Sequence, residues 1–355
     1  MSYPRLHGFI PPYILDRIIR KGTEHQRQCA LGTLAHVQQL LPNPGPPQRL
    51  PANTALPERG QPGEPRRSIH DAEQLMQLPG RQVRVEAQPP TGDAAVDEAY
   101  DALGATYAFF WEVFGRDSID NQGFPLVGTV HYGQGYENAF WNGAQMVFGD
   151  GDGEIFHRFT RSLDVVAHEL AHGVTESEAG LVYYNQSGAL NESLSDVFGV
   201  LTRQFLFRQT AEQADWLIGA DLLTDKVQGV ALRSMANPGS AYDDPVLGKD
   251  PQPGHMRDFI ETRDDNGGVH LNSGIPNRAF HLAATAMGGY AWERAGRIWY
   301  DTLCDRRLAN DADFLAFARL TLDHASSRFG AASTEWRAVE QAWAEVGIGL
   351  SEGVL

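Results

Sequence analysis

His168-Glu169-Leu170-Ala171-His172 lies in a stretch where Leu163, Val166, Leu170 and Val174 recur at helical spacing. The spacing predicts a helix over 163–178 with a buried face. Two histidines at i and i+4 share one side of such a helix and can reach a single metal ion, while the acid beside the first is left to move protons. Buried polar groups of this kind are costly unless they find partners. Twenty residues after His172 comes Glu192, in the run Asn191-Glu192-Ser193-Leu194-Ser195-Asp196. Leu190, Leu194, Val197, Phe198 and Leu201 give this region one apolar face and predict a second helix over 189–208. Glu192 and Asp196 are four apart and point the same way. One can complete a His-His-carboxylate set while the other accepts the free ring N–H of a ligating histidine. Two imidazoles, a carboxylate and a fourth position open to water form a catalytic zinc donor set.

The chain has 355 residues, enough for two or three domains, and its 42% apolar content suits a globular protein with a large core. A net charge of −16 makes nucleic acid and anionic membrane surfaces poor partners. No apolar run reaches the length of a membrane span. The stretch Met1 to Pro12 has neither the unbroken apolar core nor the small-residue cleavage site of an ordinary signal peptide. The expectation is a protein that is cytoplasmic at synthesis, with export by a non-standard route left open. Cys29 and Cys304 stand far apart and predict buried thiols rather than a disulfide framework.

Residues 1–41 read as a small unit with helices over 13–20 and 26–41. Residues 42–67 carry eight prolines and three glycines with no apolar period, the composition of a linker, and Arg49, Arg59, Arg66 and Arg67 open it to proteolysis. A small unit tethered to a hydrolase by a cleavable linker suggests a propeptide; a plain interaction domain is the other reading. From 68 the pattern favours strands, with runs at 82–87, 126–132 and 145–148, interrupted by a helix over 94–114. Gly149-Asp150-Gly151-Asp152-Gly153 resembles a calcium loop, but two acids among three glycines favour a hairpin turn. Beyond 160 the pattern turns helical, with further helices predicted at 276–288, 291–306, 311–329 and 333–346. The fold class is α+β: a β-rich half over 68–178 ending in the His-Glu helix, and a helical half over 179–355, with the active site between them.

Six motifs resemble the thermolysin-like metallopeptidases. They are His168–His172, Asn191–Asp196, Asn138-Ala139-Phe140-Trp141-Asn142-Gly143, Gly180-Leu181-Val182-Tyr183, Leu232-Arg233-Ser234-Met235, and Asp265-Asn266-Gly267-Gly268-Val269-His270-Leu271-Asn272-Ser273-Gly274. The N-terminal Ile10-Pro11-Pro12-Tyr13-Ile14-Leu15 is similar to the short propeptide of the protealysin group. The resemblance implies a zinc-dependent neutral endopeptidase made as a latent precursor. His168, His172 and Glu192 would be the zinc ligands, and Glu169 the general base toward the attacking water. Asp196 would orient a ligand histidine. His270 and Tyr183 would donate to the oxyanion, with Asp265 holding the His270 ring. Arg233 would bind the carbonyl after the scissile bond. Asn138 and the Ala139 backbone would pin the peptide main chain. Phe156, Phe159, Val165, Ile218 and Leu232 would line an apolar pocket for a large hydrophobic side chain that follows the cut. Expected partners are peptide or protein substrates, the chain's own propeptide in cis, and a protein inhibitor.

The chain departs from the resemblance at a double calcium site. Asp164 and Asp215 match two of its acids, whereas Arg203, Leu217 and Ala220 stand where carboxylates are needed. The thermolysin-type double site is therefore expected to be absent, with Arg203 paired to Asp164 or Asp215. Calcium elsewhere is left open by the acid-rich loop 243–265. Two other functions compete. A zinc aminopeptidase shares the ligand spacing but needs an acid for the substrate amine, and no Gly-x-Met-Glu-Asn motif is present. A binding protein held inactive by its N-terminal unit is the non-enzyme reading.

Overall fold

A computed structural model describes residues 7–40 and 61–350. Most of the proline-rich segment 42–67 lies outside the described residues, as do both ends of the chain. The chain divides into two compact units: Met1–Gly173 with Asp221–Val227 and Pro245–Leu247, and Val174–Ala220 with Gln228–Asp244 and Gly248–Leu355.

The first unit holds strand β1 (His7–Gly8), helices α1 (Pro12–Lys21) and α2 (Glu24–Leu40), strands β2 (Arg67–Asp71) and β3 (Arg81–Val85), helix α3 (Ala94–Phe114), and strands β4 (Leu126–Val130), β5 (Ala139–Trp141) and β6 (Met146–Phe148). The strands make one six-stranded sheet in the order β1-β5-β6-β4-β2-β3. β4 runs parallel to both β2 and β6, and the remaining pairs are antiparallel. Helix α3 occupies the predicted span because both of its ends are chemically marked. Asp93 caps Ala95 N and Val96 N, and Gly115 closes the helix in the left-handed conformation at φ 68°. Its face of Val96, Ala99, Leu103, Tyr107 and Phe110 is buried. Gly128 in β4 lets the helix approach: a Cβ there would stand 3.3 Å from Leu103 and 3.2 Å from Ile69.

The predicted hairpin at Gly149–Gly153 is instead a loop closed by a side chain. Asp152 Oδ1 accepts from Glu154 N, Ile155 N and Phe156 N at 2.7–3.0 Å, and Asp150 takes the His131 ring at 2.9 Å. With Asp93 on its other nitrogen, the His131 ring is pushed up to about 9. The loop is thus tied to the start of α3.

Helix α4 (Leu163–Glu178) carries the His-Glu motif over the predicted span. The second unit is built on α5 (Asn185–Phe207), buried without a break from Ser187 to Thr202. It begins four residues before its predicted start because Asn185–Gly188 continue the helical turn ahead of the apolar run. Short strands β7 (Leu217–Ile218), β8 (Arg233–Ser234), β9 (Asp243–Asp244) and β10 (Gly248–Lys249) follow, and then α6 (Asp265–Asn272), α7 (Gly274–Met287), α8 (Ala295–Leu303), α9 (Phe314–Phe329) and α10 (Thr334–Glu345). Helix α6 was not expected. Asp265, Asn266, Gly267 and Gly268 all lie in the left-handed region, so no helical period precedes Val269.

Stacked indoles centre the helical core: Trp299 and Trp343 lie 6.0 Å apart at 7°, and Trp343 Nε1 donates to Thr321 Oγ1 at 2.9 Å. Both cysteines are only partly buried, which corrects the expectation of buried thiols. No helix among the described residues is long and apolar enough to cross a membrane. Trp343→Ala should cost about 3–5 kcal/mol by opening a cavity against Trp299, lowering the urea midpoint of unfolding.

Candidate metal centre

Helix α4 is preceded by Ser162, whose hydroxyl donates to Asp164 Oδ1 at 2.6 Å and whose carbonyl accepts from Val165 N and Val166 N. One and two turns further, His168 and His172 are 0% and 1% exposed. Their Nε2 atoms stand 3.0 Å apart. On α5, Glu192 is 1% exposed. One ligand atom from each of His168, His172 and Glu192 lies within 4.8 Å of the others. Donors about 2.0–2.2 Å from a tetrahedral ion stand roughly 3.3–3.6 Å from one another, so this trio fits zinc in both chemistry and spacing. Water is excluded from all three groups, and a cation is what makes such burial tolerable. Glu169, between the two histidines, is also 0% exposed.

Beside Glu192 the structure gathers residues from two further segments. Tyr183 donates its hydroxyl to Glu192 Oε1, and the same hydroxyl is 3.2 Å from His270 Nε2. His270 Nε2 is 3.5 Å from Glu192 Oε2. The left-handed start of α6 folds Asp265 back on His270, with Asp265 Oδ1 2.6 Å from Nδ1 and Oδ2 accepting from His270 N at 2.9 Å. Burial works to lower the His270 pKa, but the charges of Asp265 and Glu192 outweigh it and push the ring up to about 9.

Asp196 accepts a two-pronged fork from Arg233, Nε to Oδ2 at 2.9 Å and NH2 to Oδ1 at 2.7 Å. Asn277 Nδ2 also donates to Oδ2 at 2.9 Å. Asn277 was not foreseen. Its only trace in the sequence is a polar residue between Pro276 and Ala279 on the buried face of α7. Arg203 pairs with Asp215 at 2.9 Å, the second of the two acids expected for it.

Asn138 and Ala139 form the edge where β5 meets β1. Phe9 N donates to Ala139 O at 3.0 Å, Ile10 N to Asn138 Oδ1 at 2.8 Å, and Asn138 Nδ2 to Ile10 O at 3.2 Å. His7 and Gly8 pair antiparallel with Trp141 and Phe140. The buried Phe9 ring meets the His168 ring edge-on at 5.1 Å. Of the residues expected to line an apolar pocket, Phe156 and Phe159 pack with ring centres 6.0 Å apart, and Val165 is buried on α4. Ile218 and Leu232 are buried together on β7 and at the start of β8, with Leu232 N donating to Ile218 O at 3.0 Å.

Residues 77–176 match the family model described as thermolysin metallopeptidase, catalytic domain, and 179–348 match thermolysin metallopeptidase, alpha-helical domain. Residues 7–49 match the protealysin propeptide. The chain is 62% identical over 350 residues to an extracellular metalloprotease of Pectobacterium carotovorum subsp. carotovorum, covering 98% of this chain and 97% of that one. It is 44% identical over 348 residues to an extracellular minor metalloprotease of Serratia marcescens, covering 97% and 95%. Among solved structures it is similar to the precursor of protealysin, a metalloproteinase from Serratia proteamaculans, at 60% identity and a TM-score of 0.88, covering 97% of this chain and 100% of that one. These relatives correct the expected cytoplasmic location, since those named for a location are extracellular.

The full chain should bind one zinc ion, and Glu192→Gln should weaken binding by at least about 100-fold in competition with a chelator. Equal affinity in that variant would remove Glu192 from the ligand set.

Proposed function

The chain belongs to the thermolysin metallopeptidase family and is a zinc-dependent neutral endopeptidase carried as a latent precursor; we propose that its catalytic machinery is the set of buried residues around His168, His172 and Glu192. The donor trio carries this reading. Zinc held there supplies a Lewis acid and brings the pKa of a water in its open position to about 7.

Glu169 takes a proton from the attacking water and passes it to the departing amine. Its place on α4, between the two histidines and shielded from solvent, supports that role. His270 and Tyr183 donate to the oxygen of the attacked carbonyl. The charge-raised His270 favours the proton-bearing ring that such a donor needs. Asp265 fixes the ring, and Asp196 with Asn277 holds the Arg233 fork in one plane, ready for the carbonyl that follows the cut.

The N-terminal strand models how a peptide binds. It lies antiparallel along β5, with Asn138 reading both the N–H and the C=O of one residue and Ala139 O taking the N–H of the residue before. A propeptide held in this way denies the edge to substrate, which accounts for latency. The strand also extends to the N-terminal side of Phe9, since His7 and Gly8 are paired too. A site that accommodates residues before the cut favours an endopeptidase over an aminopeptidase, which must close on a free amine.

The residue on Ala139 O is a large apolar one, Phe9, set against His168. With Phe156, Phe159, Val165, Ile218 and Leu232, this supports cleavage on the N-terminal side of large hydrophobic residues. Burying such a side chain is worth about 1.5–3 kcal/mol, or roughly 10–150-fold in rate at low substrate. Arg203, paired with Asp215, replaces the double calcium site. The cleavable tether is the segment 42–67, and the released enzyme acts outside the cell as its named relatives do.

Zinc-loaded full chain should cut its own tether within 42–67. It should then cleave internally quenched peptides before Leu or Phe at least about tenfold faster than before Asp. Glu169→Ala should stay uncut and inactive under the same conditions. Processing of that variant at the wild-type rate would show that the reaction proceeds without Glu169.

A further inference from the structure

Glu137 is a buried acid that the proposed reaction does not use. It immediately precedes Asn138, is 0% exposed, and neither of its carboxylate oxygens has a hydrogen-bond partner. Its cover is the N-terminal unit. Glu137 N donates to Thr33 Oγ1 of α2 at 2.9 Å. Cys29, one turn earlier on α2, packs on Gly135 so closely that a Cβ there would be 2.6 Å from its sulfur. Cys29 also lies in the field of Glu137, Asp152 and Glu154.

The loop beneath, residues 149–156, carries only acidic charges. Asp152 is itself buried, with Oδ2 unpartnered, and it bears on Glu137 with like sign. The start of the helical pair meets this loop through His25, whose Nε2 is 3.1 Å from Asp152 O, and through Thr23, whose hydroxyl donates to Glu154 at 3.4 Å. An ionised Glu137 would be sealed from water, without hydrogen bonds, against another carboxylate.

We propose that Glu137 is a proton-linked latch: α2 seats on the peptidase with this carboxyl neutral, so the propeptide is held firmly at low pH and released as pH rises. Burial, then Asp152, push the covered carboxyl up to about 9. Once α2 leaves, solvent lets it ionise in a lower range. The raised value belongs to the docked state. Docking strength is therefore complete below the uncovered pKa and is lost as pH climbs toward about 9.

A second group at the same interface works in the other direction. The His36 ring of α2 lies 3.0 Å from both the Tyr136 and Tyr132 hydroxyls, and burial lowers its pKa from 6.5. Docking prefers the neutral ring, so His36 opposes seating below about 6.5 and is silent above it. Cys29, pushed up to about 11 by burial and its acidic neighbours, adds to release only above the thiol range of about 8.5. Between pH 6.5 and 8.5 the dependence therefore belongs to Glu137. This inference rests on the reading that the N-terminal unit docks as an inhibitor.

The test uses full chain carrying Glu169→Gln, so that released fragments are not digested. It is cut by trypsin at the linker arginines, and the dissociation constant of the N-terminal fragment is followed from pH 6.5 to 8.5. The constant should rise about tenfold per pH unit, roughly 100-fold in all. Glu137→Gln should hold the change below about threefold. Cys29→Lys, which changes only the propeptide and gives Glu137 a counter-charge, should flatten it as well. A flat wild-type profile, or an undiminished slope in the two variants, overturns the latch. A fragment that fails to stay bound at any pH overturns the docking reading and the latch together.

Discussion

Two imidazoles and a carboxylate cannot be packed against one another in a dry interior unless something positive joins them. His168, His172 and Glu192 are essentially without solvent contact, and their ligand atoms converge within 4.8 Å. Everything around them reads as a consequence of that constraint. The trio comes from two long helices, the rigid kind of element on which ligand geometry can be held to tenths of an ångström. The neighbouring side chains are held just as firmly. Tyr183 reaches Glu192 and His270, Asp265 locks the His270 ring, and Arg233 and Asn277 converge on Asp196. The buried charges of Asp196, Arg233, Asp265 and His270 thus each have a named partner of suitable chemistry, which holds their side chains in place.

The same economy explains the N-terminal unit. A sheet edge that binds extended peptide is an exposed row of donors and acceptors, and an exposed edge recruits strands indiscriminately. Here β1 supplies a strand in cis, with Asn138 and Ala139 satisfied by Phe9 and Ile10. Helix α2 then covers the Glu137 carboxyl, which burial and then Asp152 push up to about 9. Latency and the means of ending it thus reside in one interface.

Much of this was legible in the sequence, for identifiable reasons. The spans of α3 and α4 match those read from the sequence, α4 from an apolar stripe flanking the two histidines; the structure shows that Asp93 and Gly115 mark the ends of α3. The ligand trio followed from i, i+4 spacing and a downstream acid. Other features leave no local periodic trace. Strand β5 is three residues long, and β1 exists because β5 gives it a partner. Helix α6 opens with four left-handed residues that no apolar pattern announces. The bidentate Asp196–Arg233 pair, the contribution of Asn277 and the burial of Glu137 depend on contacts between residues 37, 81 and more than 100 positions apart. The acid-glycine run at 149–153 has the composition of a hairpin, but its turn is closed by the Asp152 side chain and not by strand pairing.

The central claim is the coordination of one zinc ion by His168, His172 and Glu192, and X-ray absorption at the zinc edge of the loaded full chain tests it most directly. The account predicts a shell of nitrogen and oxygen donors at about 2.0–2.2 Å with two imidazole signatures and no sulfur. A thiolate at about 2.3 Å, or a shell of oxygens without imidazole, would contradict it.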